Sequence, residues 1–536
     1  MSTTQKSGPE KFGARAGSAS NSPTSSPTDM YACFGPGGWL QKSHPAYEYR
    51  PGQLQMAKAV DAAFKQRRHL LVEAGTGTGK TLAYLIPALL SEHRVIISTG
   101  TKNLQDQLYY KDIPFLAEHL APMLGRPLRV CYMKGRANYL CRQKVYDMDG
   151  RPMLRGLEEV EEFARIREWE ETSETGDRSE LAELAEDSAL WHRLDARREA
   201  CTGSKCKQYD RCFLTLMHTR ALDSDIIIVN HHLFFADLSM KDSDLEGVIP
   251  EYAAVVFDEA HEIEQIAGEY FGLECSNYRF DELVRDAEQT LRQKECINSG
   301  LQRALKRLHE DAQMFYSLFP APEGRFGFDQ RERFLEKNFD FYSALQNAII
   351  RLRGELAALI EKPEEVHTLM GRMDELRGDL TFLMESKDRR FVHWYERRGR
   401  GLYLQATPID VAPILTERLF DAVETIVLTS ATLAVGGTFD FVKSRLGVRR
   451  AEEIILEPHF DYPRQALLYL PPQMPEPNDP AFTEAAVEEI IKLIEISRGR
   501  AFVLFTSNQQ MRFAHDRVKH LLNQMPGRGP GKMRYP

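Results

Sequence analysis

The sequence predicts an α/β fold, a parallel sheet flanked by helices and interrupted twice by inserted modules. Five short apolar, β-branched runs (His69–Gly75, Arg94–Thr101, Asp225–Asn230, Ala253–His261 and Thr425–Leu433) are of the kind a parallel sheet buries on both faces. Helical patterns stand between them. Two stretches break the alternation, one acidic and cysteine-bearing, the other long and helical. Each exceeds the short connections usual inside such a sheet, so both read as separate modules.

In chain order, the Ser/Pro-rich residues 1–30 have no apolar core and read as a disordered tail rather than a signal peptide. Residues 31–125 form the first part of the main α/β domain, with a helix over 47–66, then strand, Gly-rich loop and helix from His69. The cysteine-bearing insert follows at 126–222, its 154–200 stretch helical with charge on most faces. Residues 223–262 return to the main domain. Residues 263–395 read as nearly all helix, broken by short Pro/Gly turns such as Phe319–Phe328. A third part of the main domain covers 396–445. The opening of a second α/β domain covers 446–536, with a strand and turn at Arg500–Met511 and an amphipathic helix behind it.

Composition bounds the function. A chain of 536 residues, 43% hydrophobic and 27% charged, holds several cores and is neither disordered, collagenous nor disulfide-dense. No apolar run approaches the ~18–20 residues of a membrane span, so a cytoplasmic protein without membrane partners is expected. The net charge of −9 argues against a uniformly basic binder. Residues 151–200 alone carry eight Lys/Arg against fifteen Asp/Glu, which leaves the rest close to neutral and free to form basic patches. Of eight cysteines, Cys131, Cys141, Cys201, Cys206 and Cys212 fall in one window, which suits an intracellular metal or cluster site better than a disulfide framework.

Ala74-Gly75-Thr76-Gly77-Thr78-Gly79-Lys80-Thr81 is a phosphate-binding loop between an apolar strand and an apolar helix. Its glycines let backbone N–H groups face the phosphates, and the helix adds its positive end. Lys80 would reach the β/γ-phosphates and the Thr81 hydroxyl would bind Mg²⁺. An accidental Gly/Thr turn is the bland alternative, which the flanking strand and helix disfavour. Asp258-Glu259 just past an apolar strand supplies the matching acidic pair, Asp258 to hold Mg²⁺ and Glu259 to orient the attacking water. Alone, the pair would be a solvated strand end.

Asp258-Glu259-Ala260-His261 together with the Ala74–Thr81 loop resembles superfamily 2 helicases of the DEAH type. Arg50-Pro51-Gly52-Gln53 is similar to their adenine-reading glutamine motif, and Ser98–Thr101 with Asn103, Leu104 and Gln107 to motif Ia, which lies along nucleic acid. Asn230-His231-His232-Leu233, Thr429-Ser430-Ala431-Thr432 and Phe505-Thr506-Ser507 resemble the asparagine–histidine motif, the coupling motif III and motif IV. Their order, with the two insertions, resembles the DinG branch of the XPD-like iron–sulfur helicases over residues 45–525. The resemblance implies a RecA-like motor domain with an iron–sulfur insert and a helical arch-like insert, plus the start of a second RecA-like domain. It also implies coupling through His261, Ser430 and Thr432, and DNA contacts at Thr99, Asn103 and Thr506.

Cys141, Cys201, Cys206 and Cys212 stand where that family carries a four-cysteine 4Fe–4S site. Spacing alone leaves a four-thiolate zinc site open, and position in the family points to iron–sulfur. Cys131, in an apolar run, reads as a buried structural thiol. Lys387–Arg400 mixes cations with rings, the pairing a single strand favours, but its aromatics read as core of a solvated hairpin.

The resemblance implies an ATP- and Mg²⁺-dependent, 5′→3′ DNA helicase, monomeric, acting on single-stranded and forked DNA in repair or replication. An RNA-directed helicase is a further reading, against which the cluster insert argues. The family's motifs V and VI find no match before Pro536, and Gly527–Arg534 follows motif IV too closely to be one of them. The second expectation is therefore a C-terminally truncated chain that binds nucleotide and DNA without translocating.

Overall fold

The computed structural model describes residues 29–524 except 45, 151–153, 155, 182–183, 186–187, 198–200, 241–246 and 361. Of the tail expected over 1–30, residues 1–28 lie outside the described residues, as does the Gly/Arg-rich stretch at 527–534. The end of the tail is corrected, since Asp29 caps the helix Met30–Phe34 and Met30 is buried in the core. The chain divides into two bodies, Met1–His459 and Phe460–Pro536.

Among the described residues, eleven strands of the first body form two sheets. They are β1 (Leu70–Glu73), β2 (Val95–Thr99), β3 (Val130–Tyr132), β4 (Ile226–Asn230), β5 (Ala254–Asp258), β6 (Leu273–Ser276), β7 (Gly324–Gly327), β8 (Phe391–Arg398), β9 (Gly401–Pro408), β10 (Thr425–Ser430) and β11 (Glu452–Ile455). Seven of them pair in parallel in the order β11-β1-β10-β5-β2-β4-β3. The side chains of its central strands alternate between two dry cores. Leu71, Ile96, Ile227, Val255 and Leu428 join one, while Leu70, Ile97, Ile228, Val256 and Val427 join the other. With both faces covered, these strands read as continuous apolar runs, as the sequence suggested.

Register positions the site. Glu73 lies opposite Ser430, and Thr429 opposite Asp258. Parallel pairing thus brings the carboxyl ends of β1, β10, β5 and β2 to one edge, where loops can converge.

Three expectations on extent are corrected. β3 belongs to the main sheet through its pairing with β4, so the cysteine-bearing insert begins after Tyr132 rather than at 126. β11 pairs with β1, so the main sheet continues past 445 to Ile455. The region 263–395 is not nearly all helix. Helices Asn277–Gln293, Ser299–Ser317, Phe339–Ala357 and Glu364–Glu385 pack on an antiparallel sheet of order β6-β9-β8-β7. The hairpin partner β9 carries this module to Pro408, well into the stretch assigned to the main domain. Its edge strands β6 and β7 are short and pair far along the chain, Leu273 with Ala406 and Gly327 with Trp394, contacts that no local periodicity records.

The Lys387–Arg400 stretch supplies only β8 and the turn of the β8–β9 hairpin, and the aromatics Phe391 and Trp394, expected as its core, are half-buried. Tyr395 is buried, and the Trp394 indole N–H donates to Thr407. Several of its cations are spent locally, Arg390 on Asp388, Arg398 on Glu396 and Arg397 on the carbonyl of Pro320.

In the second body, Val487, Ile491 and Ala514 form a small core between helices Phe482–Ile496 and Asn508–Gln524. The strand expected at Arg500–Phe505 is absent. Phe502 and Leu504 are fully exposed, because the run finds no ladder partner among the described residues and a strand needs one. No helix of the described residues is long and apolar enough to cross a membrane.

Leu380 is fully buried in the core of the helical insert, remote from the loop edge of the main sheet. Leu380→Ala is expected to lower that module's stability by about 2–5 kcal/mol, read as faster hydrogen exchange over 277–385. Nucleotide affinity should stay within about twofold of wild type, since distant sites act independently.

Candidate functional site

The loop after β1 is shaped by two glycines with left-handed backbone, Gly77 at φ 81° and Gly79 at φ 83°. Such angles are strained for residues with a Cβ. Thr78 closes the turn by donating its hydroxyl to the Gly75 carbonyl at 2.7 Å. The helix Lys80–Leu90 then begins with no side-chain cap, leaving its first N–H groups for a ligand. Ala74, the first residue of the loop, is fully buried.

Two side chains brace this loop from outside it. Arg50 donates to the Gly77 carbonyl at 2.6 Å, and the Gln53 amide to the Gly79 carbonyl at 3.0 Å. Gln53 also accepts from the Tyr47 hydroxyl at 3.2 Å and is only 3% exposed. These contacts make Gln53 a brace for the loop.

The acidic pair sits across from the loop. Lys80 Nζ lies 3.6 Å from Glu259 Oε1 and 3.4 Å from the Ala74 carbonyl. Asp258 is buried and accepts from the Tyr84 hydroxyl at 3.0 Å. Burial, then the neighbouring Glu259 charge, push the Asp258 carboxyl above its usual range, while Lys80 and Tyr84 oppose the shift. A carboxylate so placed gains from any cation brought beside it. Glu259 itself has φ 58°, a left-handed conformation uncommon for a side chain of its size. Its carboxylate lies 3.4 Å from both His261 Nδ1 and Ser430 Oγ, which are 2.9 Å from each other.

The remaining sequence candidates divide. Ser430 joins the site, whereas Thr432 contributes its backbone N–H to Ser430 at 3.4 Å and leaves its side chain exposed. Thr99 is fully buried and donates its hydroxyl to the Thr101 carbonyl at 3.2 Å. This corrects its expected contact with DNA, since it shapes the loop instead. Asn103 is exposed on the helix that Thr101 caps. Thr506 is exposed on the second body. Sequence reasoning missed Tyr84 and Glu73, which shape the site, and gave no partner for Ser98 of the motif Ia stretch. Ser98 Oγ meets the buried His231 Nδ1 at 2.7 Å, and burial lowers His231 to about 4, which keeps the ring neutral. A hydroxyl on the first turn after Lys80 was the available signal for Tyr84. The others depend on pairing across the sheet.

The four cysteines of the insert are free thiols, each partly buried. Cys206 and Cys212 each follow a short 3-10 turn and donate their N–H to the residue three before, Gly203 at 3.0 Å and Tyr209 at 3.1 Å. The Cys141 thiol is raised by burial and, secondarily, by the nearby Cys212 and Cys201. Among the described residues no three His, Cys, Asp or Glu side chains are gathered tightly enough to hold a metal ion. The chemistry of the donors nonetheless suits a thiolate-ligated group, with four unpaired thiols on one small module. Cys131, by contrast, is buried in β3 with its thiol pushed up to about 11, a core residue as expected.

A glycine loop opening a helix, a lysine facing two carboxylates and a coupled serine–histidine pair define a nucleotide-hydrolysing motor of the DEAD/DEAH class. The model of the DEAD/DEAH box helicase family matches residues 50–124. The chain is 34% identical over 482 residues to the ATP-dependent DNA helicase YoaA of Haemophilus influenzae, covering 89% of this chain and 74% of that one. It is 35% identical over 480 residues to YoaA of Escherichia coli, with the same coverages. To the ATP-dependent helicase DinG of Mycobacterium tuberculosis it is 28% identical over 502 residues, covering 88% of this chain and 74% of that one. The chain belongs to the YoaA/DinG family of ATP-dependent helicases.

A Cβ at position 79 would lie 2.3 Å from Gln53 Nε2, on a backbone that already disfavours one. Gly79→Ala is therefore expected to weaken Mg–nucleotide binding by at least about tenfold, measured by titration with a fluorescent ATP analogue. Unchanged affinity would mean that the loop is not the nucleotide site.

Proposed function

We propose that this chain hydrolyses ATP and uses the cycle to move along single-stranded DNA and open forked duplexes. On this reading it is a cytoplasmic monomer working 5′→3′ in repair or replication. One observation carries the reading. Lys80, Asp258 and Glu259 meet at one sheet edge, and Ser430 and His261 both lie 3.4 Å from the same Glu259 carboxylate. Hydrolysis and a mobile element would thus share one group.

The roles follow from the geometry. The N–H groups of Gly75–Thr81 cradle the β/γ-phosphates, and Lys80 neutralises charge developing on the transferring phosphoryl. Thr81 and Asp258 would hold Mg²⁺, which when bound neutralises phosphate charge. Glu259 accepts a proton of the attacking water and orients it. Ser430 and His261 sense the state of Glu259, while Asn103 and, on the second body, Thr506 meet the DNA backbone. Cys141, Cys201, Cys206 and Cys212 would hold a 4Fe–4S cluster, whose bonds would cross-link a module with few core residues. Among the described residues that core has eight buried members, with Trp191, Phe163 and Phe213 the largest.

The nucleotide half of the proposal is tested by ATP hydrolysis with and without oligo-dT. Wild type should be stimulated by DNA, and Lys80→Ala and Glu259→Gln should each lose at least about a hundredfold. Stimulated turnover by Lys80→Ala would defeat the assignment. For the cysteines, anaerobically purified protein should be brown and carry about four irons and four sulfides, and Cys201→Ser should lose them. Stoichiometric zinc without iron would make the insert a zinc module.

A further inference from the structure

Resting on the ATP-driven reading above, we infer that Glu73 is a positioning residue for that reaction. Its carboxylate fixes the turn after β10, and so ties Ser430 to the strand that feeds the phosphate loop.

Glu73 is the last residue of β1, and Ala74 begins the loop. The ladder between β1 and β10 ends here, with Glu73 opposite Ser430 and the Ala74 N–H donating to the Ser430 carbonyl at 2.9 Å. Beyond Ser430 the chain leaves the sheet, and the N–H groups of Leu433 and Ala434 have no strand to pair with. Both donate to the same oxygen, Glu73 Oε2, each at 2.6 Å. Among the described residues Glu73 forms no ion pair, so these two N–H groups answer its charge. Leu433 is buried, so removing the carboxylate strands donors where water has little access.

The turn is thereby held at both ends. At its root, Ser430 Oγ lies 2.9 Å from His261 Nδ1 and 3.4 Å from Glu259 Oε2. At its far end, Glu73 grips the amides of Leu433 and Ala434. On the opposite side, the Glu73 carbonyl accepts the Leu456 N–H at 2.9 Å. A phosphate that settles into residues 75–81 pulls on the end of β1, and the Glu73 carboxylate delivers that displacement to the turn. Ser430 and Glu259 then move with it. The residue touches no reacting atom and acts through Ser430 and Glu259. Chemistry explains the choice of side chain. Glutamine keeps one acceptor oxygen that can serve both N–H groups, whereas alanine removes it.

The test uses the full chain as wild type, Glu73→Gln and Glu73→Ala, with three readouts. These are affinity for a fluorescent Mg–nucleotide, ATP hydrolysis with and without oligo-dT, and hydrogen exchange at Leu433 and Ala434. Glu73→Ala should bind nucleotide within about threefold of wild type but lose about tenfold or more of its stimulation by DNA. Glu73→Gln should keep stimulation within about threefold. In wild type, Mg–nucleotide should slow exchange of the two amides by at least about threefold, an effect absent in Glu73→Ala. A Glu73→Ala protein that melts earlier yet keeps full stimulation by DNA would show a merely structural role and overturn the inference. So would wild-type amides indifferent to nucleotide, a result that needs no variant to fold. The parent reading fails separately, through a wild type that DNA does not stimulate; the exchange measurement still decides the role of Glu73 in that case.

Discussion

Parallel pairing of β1, β10 and β5 is the constraint on which the rest of the molecule depends. Because the three strands run the same way and in adjacent positions, their carboxyl ends deliver the glycine loop, the Ser430 turn and the acidic pair to one edge. Their sequence separation is large. β1 and β10 are brought together only after two inserted modules have left the sheet and returned to it. Each insert can therefore diversify without disturbing the register, provided that its ends re-enter beside the same neighbours.

Electrostatics of the acidic pair at that edge turn on Lys80. Lys80 faces Glu259 directly and opposes the upward shift of Asp258. Two carboxylates share one cation in a partly buried setting, an arrangement that favours further positive charge. The left-handed backbone at Glu259 aims its side chain between the loop and the Ser430 turn, a local cost that the surrounding hydrogen bonds sustain.

The cysteine-bearing insert is fastened to the main sheet by a buried charge cluster. Lys134, 5% exposed, lies 2.7 Å from Asp177 of the insert and 3.5 Å from Asp106 on the helix after β2. The Tyr132 ring sits beneath its ammonium, and Tyr132 in turn donates to Asp106. Buried cations of this kind are tolerated only when fully partnered, and breaking such a pair leaves an uncompensated charge. The cluster thus sets the position of the cysteines relative to the helix that presents Asn103.

The sequence by itself determined the α/β class, the strands carrying the site, the glycine loop and the acidic pair. These follow from short windows, in which apolar runs, glycines and adjacent carboxylates report local requirements of backbone and charge. It also separated Cys131 from the other cysteines, because a thiol inside an apolar strand declares its burial. Only the tertiary structure decided that Thr99 is buried, that Gln53 braces the loop, and that β11 extends the main sheet. It alone showed β6 and β7 completing the sheet of the helical insert. Each of these depends on a partner far away in the chain. Glu73 is the clearest case: beside the glycine loop it looked like one more strand residue. Its role became visible only when β10 set Leu433 and Ala434 against its carboxylate, because a hydrogen bond is defined by two groups and a window of sequence holds only one of them.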